Sequence, residues 1–293
     1  MSSASRPYDA VEIVFNPNST GNASGRAEEL VGQLAERAPE LPVELRPTEH
    51  AGHGRDIARD AARRGRTLVV SVSGDGGYND VVNGLMEAGV DDVFAAVSAA
   101  GNANDHRRVT KRRDLADAIV AGAVTKLDLL RMSVEGRAPR YAHSYIGLGI
   151  TPVVALDLEK GGKGSIREVI STIRSFARFR PFQIDTPDGT ERFDSVIFAN
   201  IREMAKFAEL SDEGRPDDGR FEVIILRHTA KWRVLFTAAK AAVRGLGPQP
   251  TAREYTFRTR DPMPVQVDGE VDEFERGATV TVAIAPGAVQ TVN

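Results

Sequence analysis

The sequence predicts an α/β protein in which an N-terminal parallel-sheet domain, with helices on both faces, is followed by a second, mostly antiparallel β-rich domain. Up to residue 124, short apolar runs alternate with helical patterns, which is typical of a parallel sheet covered by helices. Beyond it, strand-like runs follow one another without regular helices between them. We therefore predict domains over residues 1–124 and 125–284, and a C-terminal segment, 285–293, that returns to the first domain.

Strands and helices of the first domain are predicted from the spacing of apolar residues. The predicted strands are 11–15, 43–46, 67–72 and 94–97. Helices are predicted from about residue 24, within residues 50–65, from about residue 79 and over residues 114–121, because apolar side chains recur there at helical spacing. In such domains ligands bind at the carboxyl ends of the strands.

The second domain is predicted from runs that are rich in β-branched and aromatic residues and bounded by turn formers. These runs are KLDLLRMSV, RYAHSYIGLGI, SVIFANI, FEVIILR, AREYTFRT, PVQVDGE and ATVTVAIAP. Two helical patterns interrupt them, at residues 166–178 and 231–244.

Composition excludes several classes of protein. With 38 Lys and Arg against 41 Asp and Glu, the net charge of −3 gives no reason to expect a nucleic-acid partner. The chain has no cysteine, so it has neither disulfides nor a thiol nucleophile. Its first residues lack a secretory signal pattern, and no apolar run is long enough to span a bilayer. We expect a cytoplasmic protein whose membrane contact, if any, is peripheral and transient.

A glycine-rich turn follows the third predicted strand, in the stretch SGDGGYNDVVNGL. Gly74, Gly76 and Gly77 allow the backbone to approach a ligand, and a helix that begins near Asn79 offers free amides and a positive dipole end. Asp75 would repel bare phosphate unless a divalent cation or a substrate hydroxyl lies between them. The turn therefore favours a magnesium-nucleotide site; the alternative is a plain tight turn.

This stretch resembles the GGDG-type signature of the diacylglycerol kinase catalytic-domain family, which includes soluble bacterial lipid kinases and sphingosine and ceramide kinases. Further segments resemble family motifs in the same order along the chain. They are NPNSTG at 16–21, TEHAGH at 48–53, GNAND at 101–105 and VDGE at 267–270. Several motifs in family order make coincidence unlikely, and they span nearly the whole chain.

The resemblance implies a set of residues that contact ATP. They are Asn16, Pro17, Asn18, Ser19, Thr20, Thr48, Gly74, Asp75, Gly76, Gly77, Asn79 and Asn102. It also implies that Asp268 and Glu270 supply the general base and its support for deprotonating a lipid hydroxyl, with Asp75 as the rival base. From the residues of VDGE alone, a hairpin turn with an Asp-Gly centre is the preferred interpretation.

A second metal site is implied by the stretch RPDDGRFEVIIL, which resembles the segment that holds a structural magnesium ion in bacterial members of the family. Carried over, Asp218 would be the side-chain ligand, and Arg215 and Arg220 would contribute backbone carbonyls. The alternative is a simple turn, since Asp and Gly are common turn formers.

The chain departs from the family pattern at several positions. Gly77 replaces a threonine, Asp80 replaces a glutamate and Asn102 replaces a threonine. A hydroxyl near phosphate is lost, and one carboxylate is shorter by a methylene. A glycine-rich patch that often follows the asparagine of the second domain is here 200–204, NIREM, which leaves the identity of the lipid open.

We expect an ATP- and magnesium-dependent lipid kinase with its active site in the cleft between the two domains. Its partners would be ATP and a hydroxyl-bearing lipid. An NAD kinase shares the glycine-rich turn and the two-domain plan, but NPNSTG, GNAND and the late VDGE favour the lipid branch. The third alternative, suggested by the residues at 77, 80 and 102, is a catalytically weak protein that binds nucleotide or lipid.

Overall fold

The computed structural model of the chain describes residues 6–19, 21–99, 114–149, 181–201, 203–204, 208–209, 215–228 and 248–292. The predicted fold class is confirmed, with helices packed on a parallel sheet and a large antiparallel β-rich region. The chain divides into two compact units. Unit 1 comprises Met1–Leu129 and Ala285–Asn293, and unit 2 comprises Leu130–Ile284.

Unit 1 is built on parallel strands in the spatial order β4-β3-β1-β2. The strands are β1 (Ala10–Phe15), β2 (Val43–Pro47), β3 (Thr67–Ser73) and β4 (Phe94–Ala99). The helices described in this unit are α1 (Ala23–Arg37), α2 (His53–Arg64), α3 (Asp75–Glu87) and α4 (Leu115–Ala121).

Helices cover both faces of the parallel sheet because successive strand residues point to opposite sides. On one face, Ile13 of β1 packs in a buried cluster with Leu34 of α1 and Ile119 of α4. On the other face, Val14 lies beside α2, where a β-carbon added to Gly54 would be 3.6 Å from its Cγ1. Strands β1 and β3 are accordingly buried almost throughout, as expected of a parallel sheet, whereas β2 is only partly buried.

Helices α2 and α3 cross closely at a glycine. A β-carbon added to Gly84 of α3 would be 2.1 Å from the carbonyl oxygen of Arg55 and 3.0 Å from the Cβ of Ala58, both in α2. Only a residue without a side chain allows the two backbones to approach in this way. This contact fixes α3, whose first turn carries Asp75.

Unit 2 consists of antiparallel strands. Strand β5 (Val124–Val134) leads into it from unit 1. The next strands are β6 (Arg140–Ala142), β7 (Tyr145–Gly149), β8 (Phe182–Thr186), β9 (Gly189–Ala199), β10 (Glu203–Met204), β11 (Ala208–Glu209) and β12 (Phe221–Arg227). They are followed by β13 (Thr251–Ala252), β14 (Glu254–Thr259), β15 (Met263–Val267), β16 (Glu270–Phe274) and β17 (Thr279–Val292).

The core of unit 2 is rich in aromatic side chains. Phe198 of β9 packs edge-on against Phe221 of β12, with ring centroids 5.9 Å apart. Phe198 also stacks on Phe257 of β14 at 6.4 Å, and Phe257 contacts Phe274 of β16 at 6.2 Å. These rings join strands that are far apart in sequence into one buried cluster.

Strand β17 begins in unit 2 and ends in unit 1. In unit 2 it pairs antiparallel with β14, where Val282 lies opposite Tyr255. In unit 1 it pairs parallel with β4, where Gln290 lies opposite Phe94. The backbone amide of Gly287, between these segments, donates to the carboxylate of Asp128 at 2.7 Å.

The elements differ from the sequence prediction in several respects. Helix α3 begins at Asp75 rather than near Asn79. Strands β8, β10, β11 and β16 were not predicted, and β17 continues past Pro286, where the predicted strand ended. The helices predicted at 166–178 and 231–244 lie outside the described residues. Among the residues that are described, no helix is long and apolar enough to cross a membrane.

Candidate functional site

The carboxyl ends of β1, β2 and β3 lie side by side at one edge of the sheet in unit 1. Phe15, the last residue of β1, is in register with Pro47 at the end of β2 and with Val72 near the end of β3. The segments that follow these strands carry the motifs at 16–21, 48–53 and 74–79. The fold thus brings most of the residues predicted to contact ATP to one edge; Thr20 and Asn102 lie outside the described residues.

The loop after β1 is held by its own polar groups. The side-chain oxygen of Asn16 accepts a hydrogen bond from the amide of Asn18 at 2.9 Å, and the carbonyl of Asn16 accepts from the amide of Ser19 at 3.1 Å. Pro17, between them, is exposed. These local bonds form a compact turn that leads into α1 through Asn22, which has a φ of 53°.

The loop after β2 is tied to β1 and approaches α3. The amide of Thr48 donates to the carbonyl of Phe15 at 2.8 Å. Thr48 and Asp80 both border Gly54, because a β-carbon at Gly54 would be 3.8 Å from Cγ2 of Thr48 and 3.9 Å from Cβ of Asp80. The threonine predicted to contact ATP and the shortened carboxylate of α3 are therefore near neighbours.

The glycine-rich turn is the first turn of α3, and the predicted helix start near Asn79 was wrong. Gly74 is the N-cap, with a φ of −85° and a ψ of −171°. The first i to i−4 bond runs from the amide of Tyr78 to the carbonyl of Gly74 at 3.2 Å. The amides of Gly76 and Gly77 come before this first bond along the chain. They therefore point out of the N-terminal end of the helix, where anions bind.

Asn79 lies deeper than the sequence suggests. It is 2% exposed, and the side-chain amide of Asn83 donates to its Oδ1 at 3.0 Å and to its carbonyl at 2.9 Å. This contact braces the second turn of α3. A direct contact between Asn79 and ATP stays a prediction.

In unit 2 the VDGE motif forms the β15–β16 hairpin. Val267 pairs with Glu270, so Asp268 and Gly269 are the two loop residues. Their φ angles are 46° and 96°, the left-handed conformations that a two-residue Asp-Gly turn adopts. The hairpin turn weighed as the alternative for this motif is therefore present.

Asp268 is nevertheless more than a turn residue. It is 1% exposed, and its carboxylate accepts hydrogen bonds from backbone amides at the start of β7: His143 at 2.7 Å, Ser144 at 3.0 Å and Tyr145 at 2.9 Å. The Nε2 of His143 is 3.3 Å from Oδ2 of the same carboxylate. Such bonds are charge-assisted and strong, so Asp268 anchors the hairpin to residues 143–145.

Asn200, directly after β9, holds the same segment. Its side-chain amide donates to the carbonyl of His143 at 3.2 Å, and its backbone amide donates to the carbonyl of Ser144 at 2.8 Å. The Nδ1 of His143 is 2.7 Å from the hydroxyl of Ser144. Together with Asp268, these groups form a buried polar network beneath the VDGE hairpin.

Glu270 presents its carboxylate at the surface of the same hairpin. Its side chain is 44% exposed and forms an ion pair with the guanidinium of Arg140 on β6. The Nη1 of Arg140 is 3.8 Å from the carboxylate of Asp272, two residues along β16. Of the two acids in VDGE, Glu270 is the one whose carboxylate a substrate can reach.

The segment predicted to hold a structural magnesium ion also forms a turn. Oδ1 of Asp218 accepts from the amide of Arg220 at 2.9 Å, and Gly219 has a φ of 72°. The side chain of Arg215 bonds Asp217 at 3.1 Å, and this hydrogen bond raises the pKa of Arg215. Among the described residues, no three His, Asp or Glu side chains cluster as metal ligands, so a site here would depend on Asp218 and backbone carbonyls.

Comparisons with known proteins agree with the resemblance. Residues 10–132 match the model of the diacylglycerol kinase catalytic domain. This stretch of the chain is therefore similar to that domain, and the similarity suggests a lipid kinase of the diacylglycerol kinase type.

Relatives of this family match most of the chain. A diacylglycerol kinase of Bacillus subtilis is 24% identical over 245 residues, which cover 80% of this chain and 78% of the relative. The probable lipid kinase YegS-like of Chromohalobacter salexigens is 24% identical over 292 residues, covering 89% and 86%. The crystal structure of a diacylglycerol kinase from Bacillus anthracis strain Sterne is 16% identical, with a TM-score of 0.73 and 98% of each chain covered; it shares the fold.

Some residues of the site were not found from the sequence. Arg140, His143 and Ser144 carry no motif, and their contacts with the VDGE hairpin span more than a hundred residues of chain. A local pattern contains no signal for such contacts. Asn200 was noted only as the start of a departure from the family.

Proposed function

We propose that this protein is an ATP- and magnesium-dependent lipid kinase that transfers the γ-phosphate to a lipid hydroxyl. The observation that carries the proposal is the first turn of α3, where Gly74, Gly76 and Gly77 follow β3 directly. The turn presents amides to an anion at the helix N-terminus. The loops after β1 and β2 end at the same edge of the sheet.

Unit 1 binds the nucleotide in this proposal. The helix end of α3 and the turn at Asn16–Ser19 contact the phosphates, and Thr48 contributes a hydroxyl. Asp75, in the first turn of α3, faces a negatively charged ligand and needs a cation between them. Magnesium, when bound, neutralises charge on the phosphates and fixes their geometry. Asp75 and the nucleotide oxygens suit this cation because both are hard oxygen donors.

Glu270 acts on the lipid hydroxyl in this proposal. Its exposed carboxylate takes the hydroxyl proton while the oxygen attacks the γ-phosphorus, and ADP leaves. Asp268 supports this role by holding the hairpin, since its own oxygens already accept hydrogen bonds from residues 143–145. Removal of a general base typically lowers the rate by about a hundred- to ten-thousand-fold.

The turn at 215–220 holds a structural magnesium ion in this proposal. The ion would be bound by the carboxylate of Asp218 and the backbone carbonyls of Arg215 and Arg220. Oxygen ligands of this kind fit the preference of magnesium. One carboxylate oxygen of Asp218 already accepts a hydrogen bond within the turn, which leaves the other as the ligand.

The test is to incubate the purified protein with γ-labelled ATP, magnesium and a total lipid extract, and then to identify any labelled lipid. We expect one lipid class to be labelled and ADP to appear in equal amount. Glu270→Gln is the matched control, because it removes the charge and keeps the size of the side chain. The proposal is wrong if the folded protein binds ATP yet labels no lipid.

A further inference from the structure

We propose that Arg140 is a positioning residue for Glu270, which deepens the proposed function and rests on it. The guanidinium of Arg140 contacts Oε2 of Glu270, and its other terminal nitrogen is 3.8 Å from Asp272. Glu270 and Asp272 are two residues apart on β16, so their side chains point to the same face. Arg140 is the cation that selects one orientation for the Glu270 carboxylate on that face.

The guanidinium is itself well fixed. The side chain of Arg140 is 19% exposed, whereas those of Glu270 and Asp272 are 44% and 46% exposed. Its backbone is held in β6, where Arg140 is in register with Met132 of β5. A half-exposed glutamate is thus held by a more buried and anchored partner.

One short segment fixes both acids of the VDGE hairpin. Arg140 holds Glu270, and the backbone amides of residues 143–145 hold Asp268. The Asp268 contacts set the position of the hairpin backbone. The Arg140 contact sets the direction of the one VDGE carboxylate that remains accessible.

The simpler explanation is a surface ion pair that only stabilises the hairpin. Ion pairs between partly exposed side chains contribute little to stability, so loss of Arg140 should scarcely change folding. Orientation of a reacting group has a much larger effect, since a displacement of about 1 Å can lower a rate on the order of a hundredfold. The two explanations therefore make different predictions for the loss of Arg140. A surface ion pair would change stability slightly and leave the rate unchanged, whereas a positioning residue would lower the rate.

The kinetic test replaces Arg140 and measures lipid phosphorylation. We expect Arg140→Gln to lower kcat on the order of tenfold to a hundredfold with an unchanged KM for ATP, and Arg140→Lys to recover part of the loss. Because the pair acts as a unit, Arg140→Gln should have little further effect in a Glu270→Gln background. Independent, multiplicative losses in the double variant would overturn the proposal.

A neighbouring arginine provides the matched control. Arg137 bonds Glu275 at 3.3 Å and the carbonyl of Glu273 at 3.2 Å, so it too links the β5–β6 connection to β16 without contacting Glu270. We expect Arg137→Gln to keep kcat. Equal losses in the Arg137 and Arg140 variants would show a general effect on the hairpin and overturn the proposal.

A second readout does not depend on the proposed function. In protein with labelled glutamate, ¹³C relaxation reports the order of the Glu270 side chain. We expect this order to fall in Arg140→Gln and to stay high in Arg137→Gln, even with no lipid present. If the order of the Glu270 side chain is unchanged in Arg140→Gln, the positioning role is wrong. If the order falls as expected but the protein phosphorylates no lipid, only the proposed function is wrong.

Discussion

At the start of α3, the side chain of Ser73 occupies the space that a side chain at position 77 would need. A β-carbon added to Gly77 would be 2.6 Å from Cβ and 2.7 Å from Oγ of Ser73. The hydroxyl of Ser73 donates to the carbonyl of Gly74 at 2.9 Å and lies 2.6 Å from Oγ of Ser71. The glycine that replaces the threonine of the family pattern is therefore required by the serine four residues earlier.

We therefore predict that Gly77→Thr destabilises this protein by about 1–3 kcal/mol, the usual cost of forcing extra atoms into a packed site. The double variant Ser73→Gly, Gly77→Thr should recover much of the loss, because the clashing side chain is gone. Urea unfolding of both variants checks the prediction. Equal destabilisation in the single and double variants would contradict it.

Asp75 and Glu270 should have separable effects. Asp75→Asn should weaken magnesium-dependent ATP binding as well as turnover, because in the proposed function its carboxylate acts through magnesium on the nucleotide. Glu270→Gln should lower turnover by about a hundred- to ten-thousand-fold and barely change ATP affinity. ATP titration and steady-state kinetics on both variants check this. If Glu270→Gln keeps full turnover and Asp75→Asn binds ATP normally but is inactive, the base is Asp75.

Asp268 should be required for stability. Asp268→Ala would leave buried amides of His143, Ser144 and Tyr145 without their carboxylate acceptor, at a cost of about 1–3 kcal/mol for each unsatisfied group. Asp268→Asn should be milder, because asparagine keeps an acceptor oxygen and tolerates the positive φ. Denaturant unfolding compares the two, and a larger loss for asparagine than for alanine would refute the anchoring role.

Gly84 and Gly32 both lie in helices, but only Gly84 faces a neighbouring backbone. Gly84→Ala should destabilise unit 1 by about 1–3 kcal/mol or more through overpacking, because the new methyl group meets the carbonyl oxygen of Arg55. Gly32→Ala in α1 meets nothing within 4 Å and should stabilise by about 0.4–1 kcal/mol. Thermal or urea unfolding distinguishes the opposite signs.

Tyr8 should make the free energy of unfolding fall at alkaline pH. Burial raises the pKa of its phenol, an effect that the charge of Arg6 partly offsets, and the hydroxyl donates to the carbonyl of Ile119 at 2.6 Å. Since the folded state retains the proton, this stability is present below the unfolded pKa of about 10 and is lost as pH rises above it. Tyr8→Phe should be less stable at neutral pH by about 1 kcal/mol yet lose less on going above pH 10, as unfolding across pH would record. An identical alkaline slope would contradict this.

Much of the fold could be predicted because its signals are local. Runs such as 67–72 are largely apolar, as buried parallel strands are, and the Asp-Gly pair at 268–269 specifies a two-residue hairpin turn. The start of α3 was misplaced for a physical reason. Glycines 76 and 77 indicate a loop by propensity, but here they lie in the first turn of the helix, which the bond from the amide of Tyr78 to the carbonyl of Gly74 closes.

The missed features depend on contacts between distant residues. Strand β8 ends at the turn formers Pro187 and Asp188, and its pairing with β9 gives it strand geometry. Strand β17 continues past Pro286, where it pairs with β4 at Gln290 and where Asp128 of β5 accepts the amide of Gly287. The Arg140–Glu270 pair joins residues 130 positions apart, which no local pattern encodes.

The path of β17 has a consequence for folding during synthesis. Val289 and Val292 are buried in unit 1, yet they leave the ribosome after all of unit 2. Until then, β4 has an unpaired edge where β17 will bind, and such edges invite pairing with other chains. Unit 1 is thus synthesised first but folds completely only after unit 2 has been synthesised. A nascent chain that stalls before residue 285 would leave unit 1, rather than unit 2, prone to aggregation.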